Sequence, residues 1–356
     1  MKGQYRAFWI REEDGFVEVI DQTKLPFVYE TVILKTAQDA IIAIKDMIVR
    51  GAGVIGNIGA LGVYLAAKQT DNITETLQWA KEIRESRPTA VNLMWAVDIM
   101  VGALEQRSNE LIETAKEKAI QICDEDSLRS SKIAQYGCDI FEQIMHTKGK
   151  TSINVLTHCN AGWLAIVDDG SALAPIYEAQ RRGIDVHVYV DETRPRNQGA
   201  NLTSWELGKS GIEHTIIPDN TGGYLMQQGM VDVCIVGADR VSANGDVANK
   251  IGTYLKALAA NYHDIPFYVA IPEGTLDLSI ENGVRDIPIE MRSEDEVHYI
   301  RGLDKEGSVQ EVRITPKGAK AVNYGFDITP HELVTGLITD KGVCQADKNA
   351  IAKMFE

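Results

Sequence analysis

From Ser152 onward the chain changes period. Short, apolar, β-rich runs (SINVLTH, DVHVYV, HTIIP, DVCIVG, PFYVAI) alternate with segments of helix length. That alternation signals βαβ units, and βαβ units build a parallel sheet. No other feature restricts the fold as tightly. Before Ser152 the pattern differs. Residues 4–34 hold short β-like runs broken by Asp14-Gly15 and Pro26, with EDG reading as a hairpin turn. From Thr36, apolar Ala40, Ile41, Ile44, Met47 and Ile48 recur at helical spacing. Helical patterns continue to about His146 through NITETLQWAKEIRES, VNLMWAVDIMVGALEQ and a long run beginning NELIET. The expected fold is therefore α/β: a strand cap and a helical bundle, then a parallel-sheet unit. The polar stretch 301–318 reads as a surface excursion.

The chain has 356 residues, enough for two domains. Its 44% hydrophobic and 24% charged residues fit a globular protein rather than a disordered one. A net charge of −15 opposes nucleic acid. An anionic small substrate would need a local cluster of Arg, Lys and backbone N–H groups. Five cysteines at irregular spacings argue for a reducing compartment, and no C-x-x-C pair exists. The scattered histidines argue against zinc. The first residues carry acids early and read as no signal peptide. Val54–Ala67 is the most apolar window and falls short of the roughly 20 residues that span a bilayer. The chain reads as cytoplasmic, with no membrane partner.

In open α/β sheets, ligands bind outside the carboxyl ends of the strands. After SINVLTH comes Cys159-Asn160-Ala161-Gly162. After DVHVYV come Asp191-Glu192-Thr193-Arg194 and Gln198-Gly199. After HTIIP comes Asp219-Asn220-Thr221-Gly222-Gly223. After DVCIVG come Ala238-Asp239-Arg240, Asn244-Gly245-Asp246 and Asn249-Lys250. Reactive side chains and glycines thus collect on one rim.

Individual residues leave alternatives open. Gly51, Gly53 and Gly56 in RGAGVIGNIGALG spell the dinucleotide fingerprint G-x-G-x-x-G. That motif should follow a strand, yet AIIAIKDMIVR precedes it with helical period. The glycines could instead let helices approach closely. Or Arg50, with the N–H groups of Gly51 and Ala52, could sit at a helix start that suits phosphate. Cys159 is a packed small residue or a rim thiol whose pKa a loop dipole lowers. His158, its neighbour, should point to the opposite face and pack or cap. Asp239 ends an apolar strand, either paired with Arg240 or Lys250 or desolvated and available for acid/base work. Arg87 is a solvated charge or a ligand before the proline of a helix start. TSWEL (Thr203–Leu207) opens an amphipathic helix.

Several strings coincide with one family. RPTAVNLMWAVD, LTHCNAG, VYVDETRPRNQGANLTSWEL, VDVCIVGADRVSANGDVANKIGTY, FYVAIP and NYGFDITPHELVTGLIT resemble the methylthioribose-1-phosphate isomerases over nearly the whole chain. That family shares its fold with the regulatory subunits of translation factor eIF2B. The resemblance implies an N-terminal small antiparallel sheet plus helices (1–125), a Rossmann-like catalytic domain with a mostly parallel sheet (126–356), and a homodimer. It implies catalysis by Cys159 and Asp239. It implies substrate binding by Arg50, Gly51, Ala52, Arg87, Gln198, Asn249 and Lys250, with neither metal nor cofactor. The implied reaction turns 5-methylthioribose 1-phosphate, a sugar phosphate, into its ketose. A 5-deoxyribose-1-phosphate isomerase is the alternative, and a non-enzymatic eIF2B-like subunit stands further off. Two departures mark the chain: Gly53 stands where the family has Pro, and Gly222-Gly223 where Ala-Ala is usual. Both put the 5′ substituent in question.

Overall fold

The computed structural model describes residues 6–87, 91–106 and 110–355. Pro88, Asn109 and the first five residues, which carried parts of the expectations above, lie outside them. β1 (Phe8–Ile10), β2 (Val17–Ile20) and β3 (Thr31–Leu34) form an antiparallel meander. Five helices follow: α1 (Ala37–Lys45), α2 (Ala52–Thr70), α3 (Ile73–Glu85), α4 (Val91–Gln106) and α5 (Leu111–Lys148). Thr36 starts α1 with a capping box, its Oγ1 accepting from Asp39 N while Asp39 Oδ2 accepts from Thr36 N. The α2 helix is apolar all round and buried from Gly53 to Ala67, as a central helix must be. It packs against α1, α3, α4 and α5.

The second half alternates as its period requires: β4 (Ser152–Thr157), α6 (Ala174–Arg181), β5 (Asp185–Asp191), α7 (Ser204–Lys209), β6 (His214–Ile217), α8 (Thr221–Gln227) and β7 (Val233–Val236). A hairpin of β8 (Arg240–Ser242) and β9 (Val247–Lys250) comes next, then α9 (Thr253–Tyr262), β10 (Phe267–Ala270) and β11 (Leu276–Asp277). Short α10 (Gly283–Asp286) and α11 (Asp295–His298) precede the hairpin β12 (Tyr299–Leu303)–β13 (Val309–Arg313). β14 (Phe326–Thr329), β15 (Gly336–Thr339), β16 (Gly342–Cys344) and α12 (Lys348–Phe355) complete the chain. The main sheet has seven strands in the order β16-β15-β10-β7-β4-β5-β6, all parallel except β16. β11, β8, β9 and β14 make a small second sheet beyond the end of β7. The polar stretch 301–318 is the exposed hairpin β12–β13 and its flank.

Strand residues alternate between two cores. Val155 and Ile235 face the core shared with α2–α5, whereas Leu156, Cys234 and Val236 face the core under α8, α9 and α12. The expected division at 125/126 falls inside α5. This single helix packs on α2 and α4, and also on α6 and β15. One apolar core therefore runs without a break from the N-terminal meander into the main sheet.

Candidate active site

β4 ends at Thr157, and the chain turns sharply into the cleft. Cys159 takes a positive φ of 68°, a conformation that costs a non-glycine residue and needs support. Support comes from both sides of its backbone: Cys159 N donates to Thr193 Oγ1 at 2.8 Å, and Thr203 Oγ1 donates to Cys159 O at 2.6 Å. His158 is buried at the edge of the cleft lining, its Nδ1 2.8 Å from Asp191 Oδ2 and its Nε2 2.9 Å from Ile251 O. It packs, as alternation along a strand requires. Helix α6 follows from Ala174.

One cleft at this rim is lined by all nine residues singled out above: Arg50, Gly51, Ala52, Arg87, Cys159, Gln198, Asp239, Asn249 and Lys250. It holds about 1300 Å³ of empty space, its open mouth included. Gly51 precedes α2 with φ 93°; Val54 N donates to Ala165 O at 2.9 Å, and Gly51 and Ala52, at the positive end of the helix, line the cleft. Asn249 and Lys250 end β9; Asn249 Nδ2 donates to Thr253 Oγ1 at 3.0 Å and Lys250 Nζ to Gly325 O at 3.1 Å. Gln198 is buried with its Oε1 unpartnered, as are Asn92 Oδ1 and Ser171 Oγ on the same lining. Such orphaned acceptors are costly unless something polar reaches them.

The glycine-rich stretch is not a dinucleotide loop. It follows α1 and a turn rather than a strand. A Cβ on Gly51 would lie 2.4 Å from Ala165, and one on Gly56 2.9 Å from Asn92 O. Close packing and a helix start both explain these glycines. The two departures from the family pattern line no part of the cleft. Gly53 faces Ile166, and Gly222 and Gly223 lie on α8 against Lys256 and Ala259. They give no reason to alter the substituent.

Charge sorts the lining residues. Arg240 pairs with Asp277 at 3.3 Å, not with Asp239. Arg292 pairs with Glu290 and Glu296, and Arg196 with Glu296. Among the described residues Arg50, Arg87 and Lys250 take no ion pair, so three cations face the cleft in a chain of net charge −15. Arg87 is half-buried, and desolvation lowers its pKa against the opposing pull of Asp239 and Glu290. Asp239 is exposed to the cleft that it lines. Desolvation raises its carboxyl above the ordinary range, while Lys250, Arg50 and Arg87 pull it down. Burial likewise raises the Cys159 thiol, against Arg50 and Lys250. A carboxyl and a thiol, both raised by desolvation, thus share one cationic cleft.

His158, Asp191 and Asp219 lie close enough together to hold a cation. Lys256 already serves there, its Nζ 3.2 Å from Asp191 Oδ2 and donating to Asp219 O. The sequence reading missed Asn92, Ser171, Arg196, Glu290 and Arg292 of the lining. Asn92 and Arg196 fall within strings quoted above; Glu290 and Arg292 lie in an irregular segment with no local signal.

Fold and site together define a Rossmann-like α/β protein with a pocket at the carboxyl edge of its sheet that gathers cations, a carboxyl and a thiol. Residues 48–346 match the initiation factor 2 subunit family. The methylthioribose-1-phosphate isomerase of Sulfurimonas denitrificans is 60% identical, covering 100% of this chain and 99% of its own. The solved 5-methylthioribose 1-phosphate isomerase of Pyrococcus horikoshii superimposes with a TM-score of 0.84 at 35% identity, covering 100% of this chain and 99% of its own. The eIF-2B subunit delta of A. fulgidus gives 0.82 at 36%, covering 99% of each. The chain belongs to the initiation factor 2 subunit family, in the group that carries the isomerase name.

Proposed function

We propose that this chain is an aldose–ketose isomerase that converts 5-methylthioribose 1-phosphate into 5-methylthioribulose 1-phosphate. The observation that carries the reading is the meeting, in one cleft, of three cations without ion pairs among the described residues, a helix start, a carboxyl raised by desolvation and a thiol. A phosphate on O1 blocks simple opening to a free aldehyde, so the ring oxygen must receive a proton. Asp239, raised by desolvation, holds that proton and serves as the general acid. Hydrogen then moves from C2 to C1, and as the ketone forms the C2 hydroxyl gives its proton to solvent water, from which Asp239 is reprotonated. Cys159 faces C2. A buried thiol is a weak base, which favours transfer of hydrogen with its electron pair, the sulfur polarising the C2 hydroxyl. Arg50, Arg87, Lys250 and the N–H groups at the start of α2 hold the phosphate; arginine can grip it with two parallel bonds. Gln198 and Asn249 hold sugar hydroxyls.

The substrate's 5′ end is tested by comparing kcat/KM for 5-methylthioribose, 5-deoxyribose and 5-phosphoribose 1-phosphates. The first is expected to lead. Equal or better use of 5-deoxyribose 1-phosphate would transfer the assignment to that sugar. Turnover in D2O is expected to leave C1 free of solvent deuterium, whereas deuterium there would establish an enediolate. The name of the A. fulgidus relative raises a second reading, a regulatory binding module; lack of turnover on every pentose 1-phosphate would favour it.

The active form in this proposal is a cytoplasmic homodimer. Two features support it: the cysteines are unpaired, and α8 and α9 expose Tyr224, Tyr254, Leu255, Leu258 and Tyr262 on neighbouring surfaces, a patch suited to a second copy. Among the described residues no helix is long and apolar enough to cross a membrane.

A further inference from the structure

Glu206 sits on α7 with no exposure, in the TSWEL segment that the sequence marks only as an amphipathic helix start. Its Oε1 accepts from Asn160 Nδ2 at 2.8 Å and from Leu164 N at 3.1 Å. Its Oε2 accepts from the Tyr177 hydroxyl at 3.0 Å. All three donors are neutral. The loop closes tightly on the carboxylate: a Cβ on Gly162 would fall 1.8 Å from Oε2. Burial lifts this carboxyl to about 7 against those hydrogen bonds. Keeping so costly a group in the core calls for a reason.

The reason lies one residue closer to the cleft. Leu164 N donates to Oε1, so this oxygen is an acceptor and any proton on the carboxyl sits on Oε2, beside the Tyr177 hydroxyl. Asn160 must therefore present its NH2 to Glu206, where Thr203 Oγ1 at 3.2 Å takes the same group. Its Oδ1 is then left facing the other way, 2.5 Å from Arg50 Nη1, while Asn160 O receives Arg50 Nη2 at 3.0 Å. A flipped amide would set NH2 against guanidinium. The relay Glu206–Asn160–Arg50 thus runs from the core to a cation on the cleft wall, and it spans α7, the turn after β4 and the start of α2.

We propose that Glu206 is a positioning residue: it fixes the amide of Asn160 and so aims Arg50 at the substrate's phosphate. The inference rests on the isomerase reading above. It distinguishes two replacements. In Glu206→Gln the remaining carbonyl oxygen still accepts from Asn160 and Leu164, and the new NH2 meets a tyrosine hydroxyl that can accept as well as donate. In Glu206→Met the acceptor is gone and the Asn160 amide is free to turn.

The experiment measures inhibition by inorganic phosphate, with KM and kcat for 5-methylthioribose 1-phosphate, in the full-length enzyme, its Glu206→Gln and Glu206→Met variants, and Asn160→Ser. Melting temperatures show which variants are folded. Glu206→Met is expected to raise the phosphate inhibition constant and KM roughly tenfold, the weight of a hydrogen bond to a charged group, with kcat changed far less. Glu206→Gln should stay within about threefold of the parent. Asn160→Ser cuts the relay without touching Glu206 and should reproduce the Glu206→Met effect, which keeps the test decisive if the methionine variant does not fold. A phosphate-sensitive parent with folded variants of unchanged inhibition constant overturns the inference alone. A parent indifferent to phosphate overturns the phosphate reading and the inference with it.

Discussion

A carboxyl group desolvated by the walls of a cleft keeps its proton to higher pH than one in open water, and Asp239 is such a group. Its role as acid needs the protonated form, so kcat/KM should decline as pH rises through its raised pKa. A pH–rate profile checks this: the alkaline decline belongs to Asp239 and should be absent from whatever activity Asp239→Asn retains. Cys159→Ser and Asp239→Asn should each lower kcat by roughly 10²–10⁴, with folding verified by melting temperature. Arg87 was legible in the sequence only through family resemblance, because a lone arginine before a proline carries no sign that the fold will bury it beside Asp239. Asp239, Lys250, Gln198 and Cys159 were legible without it, because each follows a recognisable strand and strand ends meet at one rim. Glu206 was not legible, since its meaning depends on Asn160 reaching it from another element.

The start of α2 shows how an element can carry two demands at once. Gly51 gives the helix its turn from Arg50 at a φ of 93° and lets Ala165 approach. Gly51→Ala is expected to destabilise the fold by at least about 1–3 kcal/mol from backbone conformation alone, and by more because its Cβ meets Ala165 backbone. Thermal or urea unfolding measures the loss, and KM should rise with it because the first turn of α2 shifts. The element pattern itself was readable from sequence. Period-2 and period-3.6 runs delivered the strands and long helices, since burial on one or both faces writes them directly into the residues. Readable too was the N-terminal helical run up to His146. What the family resemblance did not convey was that its division at 125/126 would fall inside this helix, which runs on to Lys148 as one beam shared by both halves. Nor could periodicity show the small second sheet, whose short strands β8, β9, β11 and β14 come from distant parts of the chain.

At the scale of the whole molecule, the cleft draws Arg50 and Arg87 from the helical half and Cys159, Asp239 and Lys250 from the sheet half. Two halves around a phosphate should be held more firmly when it is bound. A sugar 1-phosphate at a hundred times its Kd should add about 2.7 kcal/mol to stability, seen as a rise in melting temperature that Lys250→Met abolishes. The exposed face of α8 and α9 makes a separate claim. Leu255→Asp together with Tyr262→Asp should turn a dimer into a monomer in analytical ultracentrifugation without unfolding it, because both side chains stand largely in solvent in the single chain. A parent that sediments as a monomer contradicts the dimer. The central claim is that this cleft isomerises an aldose 1-phosphate with Asp239 and Cys159 as its working pair. The most direct test follows 5-methylthioribose 1-phosphate by NMR with the parent and with folded Asp239→Asn and Cys159→Ser. Ketose 1-phosphate should accumulate with the parent and at least about a hundredfold more slowly with either variant. A parent that makes no ketose, or variants that keep pace with it, would contradict the account.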